Sequence, residues 1–134
     1  MIPAPPSSER NSIEMNKVEA RRLFKEANRL WFWEGKFHKA LPLYREALKQ
    51  DPSDPVILYQ LANVLWAFEQ FGEVRALVAK IERNLDRFSD FGKEVFAEEK
   101  ARLLSASLFK SSMPIPVWEI DLEELDSRGL SHQQ

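Results

Sequence analysis

From Phe24 onward the apolar positions of this chain fall at helical spacing, and the arrangement then recurs. Phe24, Ala27 and Trp31 follow i, i+3, i+7, as do Leu58, Leu61 and Leu65, so each triplet forms one apolar stripe on a helix. A second stripe follows each: Ala40, Tyr44 and Ala47 after a break at Glu34-Gly35-Lys36, and Val74, Val78 and Ile81 after Glu69-Gln70-Phe71-Gly72. Between the two pairs lies Asp51-Pro52-Ser53-Asp54-Pro55. Proline disfavours helix in the residue before it, and Ser53 or Asp54 can cap the helix that follows. The pattern predicts two units, each a helix, a tight turn and a helix.

The two units align at a spacing of 34 residues. Phe24 matches Leu58, Ala27 Leu61, Trp31 Leu65, Phe37 Phe71, Leu43 Leu77 and Ala47 Ile81; Asn28 pairs with Ala62, Ala40 with Val74 and Tyr44 with Val78. Small residues at Ala27, Ala40, Ala47 and Ala62 allow close helix pairing. The first copy, with Phe24, Ala27, Asn28, Trp31, Gly35, Phe37, Ala40, Tyr44, Ala47 and Pro52, resembles the tetratricopeptide repeat; the second departs more, with Glu69 for the turn glycine and Asp86 for the closing proline. The resemblance implies an all-α fold: a short α-solenoid of two tetratricopeptide-like hairpins (repeats about 21–54 and 55–88), a C-terminal capping helix (about 91–109) and an acidic tail.

One further step of the same spacing puts Gly92, Glu99 and Ser112 where packing residues belong, so a third repeat is not expected to continue cleanly. The segment from Phe91 to Phe109 still reads as one helix, with Ser89-Asp90 as its cap. Its apolar residues form two stripes: Ala97, Ala101, Leu104 and Leu108 on one side, and Phe91, Val95, Ala106 and Phe109 on another. The expected division is a flexible N-terminal tail over 1–11, a helical domain over 12–110 and a C-terminal tail over 111–134.

In the family the chain resembles, the first helix of each hairpin lines a concave surface. Carried over by position, that lining comprises Arg22, Lys25, Glu26, Arg29, Phe32 and Trp33 from the first unit, and Val56, Tyr59, Gln60, Asn63 and Trp66 from the second. Helical geometry agrees for the aromatics, since Phe32 and Trp33 lie about 100° and 200° round from Trp31. Tyr, Trp and Arg commonly carry binding energy, and Asn63 and Gln60 suit the backbone of an extended peptide. The competing reading is that these aromatics pack against the chain's own first helix. A clamp for a C-terminal carboxylate is not expected: Lys25 fits that motif, but Arg29 and Gln60 stand where its asparagines belong.

From Pro114 to Asp126 the chain has five acidic residues and no basic one, interleaved with Ile115, Val117, Trp118, Ile120, Leu122 and Leu125. That mixture reads as a docking segment through Trp118, Ile120 and Leu122, laid over a binding surface or capping the last helix.

Composition narrows the chemistry. The 134 residues carry 19 basic and 21 acidic side chains for a net charge of −2, which gives no reason to expect nucleic acid or an anionic membrane as partner. There is no cysteine, no glycine-rich phosphate loop, and only His38 and His132, so neither catalysis, a metal site, a cofactor nor a small-molecule substrate is expected. No run approaches the length of a membrane span, and a cytoplasmic protein is the expectation. The function anticipated is an interaction module, an adaptor or assembly factor holding a peptide segment of its partner. The alternatives are a homo-oligomerising element and a client-specific chaperone whose groove the acidic tail covers.

Overall fold

The structure is a computed structural model that describes residues 6–105 and Leu125, with side chains described from Glu14 onward. Among the described residues there are five α-helices and no strand: α1 (Pro6–Asn28), α2 (Phe37–Gln50), α3 (Pro55–Ala67), α4 (Phe71–Arg83) and α5 (Asp90–Leu104). They divide into two compact units, Met1–Pro52 and Ser53–Gln134. None of the described helices is long and apolar enough to cross a membrane.

The first unit is a hairpin of α1 and α2. Helix α1 begins at Pro6, inside the stretch expected as a tail, and a proline at the first helical position loses no hydrogen bond that the helix would make. Its buried stripe of Ala20, Phe24 and Ala27 meets Ala40, Tyr44 and Ala47 of α2. The Tyr44 ring stands edge-on to Phe24 at 5.8 Å and to Trp31 at 6.5 Å, and its hydroxyl donates to Asn28 Oδ1. The alanines bring the helices close and the aromatics fill the space beside them.

The last turn of the first helix is widened. Arg29–Trp33 is π-helical, with Glu34 N–H donating to Arg29 O at 3.1 Å and Lys36 N–H reaching Leu30 O at 2.9 Å. Gly35 closes the turn at φ 66°. In the second unit Glu69 takes the equivalent place at φ 62°, and Gln70 N–H bonds Leu65 O at 2.9 Å. The turns therefore keep the 34-residue register, but the first closes one residue deeper into its helix. Spacing alone gave no sign of this widening.

In the second unit, Asp54 caps α3, accepting from Val56 N–H at 2.9 Å and Ile57 N–H at 3.4 Å, while Pro55 takes the first helical position. Helix α3 is buried from Pro55 to Trp66. Helix α4 turns Val74, Leu77, Val78 and Ile81 inward, as the repeat predicts. Ser89 caps α5 through Oγ, which accepts from Gly92 N–H at 3.0 Å.

The inner face of α5 corrects the expected stripes. The buried residues are Gly92, Phe96, Glu99 and Leu103, whereas Ala97, Ala101, Phe91 and Leu104 are exposed. Gly92 and Glu99 are the residues that a further 34-residue step places in packing positions. The repeat register thus continues into α5 although the side chains there are not apolar, and the Glu99 charge is met by Arg102 Nε at 2.6 Å. Ser112, the third position of that step, lies outside the described residues, as do Ala106, Leu108 and Phe109.

Candidate interaction surface

The residues anticipated for a binding face fall into two sets, one in each unit, and their environments differ. Met15, Val18 and Arg22 on α1 and Arg29 at the start of the widened turn lie within about 60° of one another round the helix, opposite the Ala20–Phe24–Ala27 stripe. Met15 is 71% and Val18 69% exposed. Trp33, at the end of the widened turn, is 83% exposed, the most open large apolar side chain among the described residues. Phe32 is half-buried and Lys25 exposed.

The cations on this face are mostly neutralised by their neighbours. The Arg22 guanidinium donates to both Glu19 oxygens at 2.8 and 2.7 Å. Arg29 is bound by Glu26, with Nε to Oε1 at 3.0 Å, and also pairs with Glu34. The arginine hydrogen bonds hold the Glu19 and Glu26 carboxyls below the usual carboxylate range, and the paired carboxylates hold the two guanidiniums more firmly protonated. Among the described residues, Lys25 has no ion-pair partner. The face is thus apolar at its ends with oriented, charge-balanced arginines between, rather than a basic strip.

The second set is covered. Tyr59, Gln60, Asn63 and Trp66 are all buried, Trp66 to 5% exposure. Helix α5 accounts for the cover over Asn63 and Trp66. Arg102 lies over the Trp66 ring, its guanidinium carbon 5.1 Å from the ring centroid, and Arg102 Nη2 donates to Asn63 Oδ1 at 2.6 Å. The Asn63 amide also donates to the Tyr59 carbonyl at 3.0 Å. Burial pushes the Tyr59 hydroxyl up to about 12, helped by the Glu99 carboxylate and opposed by hydrogen bonds from Asn63 and Arg102. Arg102 was not singled out from the sequence, and Glu99 stood out only as a break in the packing register. The register places Glu99 at the position of Trp31 and Leu65, and Arg102 follows three residues later on the same helix.

Trp118, Ile120 and Leu122 lie outside the described residues. Leu125, from the same acidic segment, is fully buried against α5, and its carbonyl accepts from Ser89 N–H at 2.9 Å. No group of three or more histidine, aspartate or glutamate side chains among the described residues is placed to hold a metal ion.

Residues 34–89 match a family model described as tetratricopeptide repeat. No curated protein and no solved structure matches the chain.

Proposed function

For this chain, whose residues 34–89 match the tetratricopeptide repeat model, we propose a role as an adaptor or assembly factor that holds a segment of another polypeptide on the outer face of α1 and its widened turn. Tetratricopeptide repeats mediate protein–protein interaction. The observation that carries the narrower reading is Trp33, 83% exposed at the end of a face that also bears Met15 and Val18. An exposed tryptophan beside oriented arginines supplies area and a polar handle at little ordering cost, the combination found at interface hot spots. Arg22 and Arg29 enter such an interface already held by carboxylates, so they offer planar donors and stacking surface more than net charge. Lys25 contributes charge at the rim.

Tyr59, Gln60, Asn63 and Trp66 have a different part in this reading. They hold α3 to α5 and so keep the second unit formed.

The test is affinity purification of the full chain with Trp33→Ala, Arg29→Glu and unaltered forms, each checked by circular dichroism. A partner protein retained by the unaltered chain and lost by both folded variants is the expected result. Retention by both variants removes the α1 face from consideration. A chain that co-purifies only with itself, with its mass doubled in solution, favours the homo-oligomer instead.

A further inference from the structure

The 34-residue register has one position where the second unit lacks a side chain that the pattern demands. Phe24 and Leu58 occupy it in the two repeats, and both are buried. The third occupant is Gly92, in the first turn of α5. The space there is filled from elsewhere. A Cβ on Gly92 would stand 2.6 Å from the Leu125 carbonyl oxygen, 3.1 Å from Leu125 Cα and 3.0 Å from Cδ2 of the Phe88 ring. The Leu125 backbone therefore rests directly on the glycine, as close as two main chains pack, which only a residue without Cβ allows.

Two features make this a seat for a peptide and not simply a packed contact. Ser89 divides its two polar groups: its Oγ caps α5 by accepting from Gly92 N–H at 3.0 Å, and its N–H is left to bind the Leu125 carbonyl at 2.9 Å. That bond reads main chain and not side chain, and Leu125 offers its carbonyl from a 3-10 helical turn. Phe88 and Phe96 are both buried with ring centroids 6.4 Å apart, the Phe88 ring lies against Gly92 as the Leu125 backbone does, and Leu125 is fully buried. The main-chain hydrogen bond gives affinity whatever the residue, and the buried aromatic surroundings favour an apolar side chain.

We infer that Phe88, Ser89 and Gly92 form a docking seat for a peptide that presents a leucine from a helical turn, and that the chain's own Leu125 fills it as an intramolecular ligand. The seat is a vacated repeat position. The space that the Phe24 and Leu58 side chains fill in their own helices is taken here by the Leu125 main chain and the Phe88 ring. The seat is separate from the α1 face, so either proposal stands without the other.

A fluorescein-labelled synthetic peptide of residues 120–130 tests this, titrated into full-length chains. The Leu125→Ser chain, whose seat is vacated, is expected to bind it at least tenfold more tightly than the unaltered chain. The double variant Leu125→Ser with Gly92→Ala is expected to lose that gain, because the new methyl group takes the place of the peptide carbonyl. Equal binding by all three chains, or binding by none, overturns the proposal. So does loss of helical circular dichroism in Leu125→Ser, which makes Leu125 fixed core instead of a ligand. In Gly92→Ala alone, amide exchange at Ser89 is expected to quicken at least tenfold while the α4 amides and the later α5 amides stay protected. An unchanged Ser89, or exchange quickened throughout α5, contradicts the docking seat.

Discussion

Gly35 and Glu69 close equivalent turns at nearly the same backbone angle, φ 66° and 62°, yet only one is a glycine. A residue with Cβ in the left-handed region costs roughly 1–2 kcal/mol. Glu69→Gly relieves that cost but loosens the unfolded chain, so a net gain of about 0.5–1 kcal/mol is expected in urea denaturation. Gly35→Ala runs the other way. Nothing lies within 4 Å of a Cβ at Gly35, so its expected loss of about 1 kcal/mol comes from backbone angle alone. Tyr59 gives a prediction in pH. Its folded-state value is raised to about 12 from 10.0, so the neutral phenol is favoured by folding. That contribution is complete below pH 10 and is lost as pH climbs through 12. On the order of 3 kcal/mol is at stake over that window, and absorbance of the phenolate checks it, since Tyr59 should ionise together with unfolding.

At the scale of elements, the sequence made the two hairpins legible because their packing positions are filled by apolar residues in both copies. The caps were legible for the same local reason: Asp54 before Pro55 and Ser89 before Asp90 are strong helix starts, and both side chains accept the expected backbone N–H groups. Asp54→Ala is expected to cost about 1 kcal/mol of stability. The face of α5 was not legible from apolarity, because Gly92 and Glu99 break the stripe. One takes its filling from Leu125 and the other its counter-charge from Arg102. Spacing carried more information there than hydrophobicity. Phe96→Ala is expected to cost about 3–5 kcal/mol, and Leu104→Ser on the outer side within about 0.5 kcal/mol. Equal effects from the two would put the inner face of α5 elsewhere.

At the scale of the molecule, the sequence made the exposure of some of the anticipated residues legible and missed the burial of others. Arg22, Lys25, Arg29 and Trp33 are presented to solvent as helical position requires, although the charge of the arginines is met by carboxylates only three to five residues away. Tyr59, Asn63 and Trp66 were assigned to an open lining because a helix read alone shows which side chains share a face and not what lies over that face. Arg102, far along the chain, covers them. Trp66→Ala is accordingly expected to act on stability, by about 3–5 kcal/mol, before it acts on binding. Calorimetric melting of that variant beside Trp33→Ala separates the two roles, since the exposed tryptophan should leave the melting temperature almost unchanged.

Amide hydrogen exchange of the full chain, with and without its co-purified partner, puts the proposed division of labour to the most direct test. Slowed exchange over residues 15–36, with residues 59–66 unaffected, is the predicted result. Slowing confined to residues 59–66, with the Trp33 turn exchanging as freely as in the unbound chain, contradicts it.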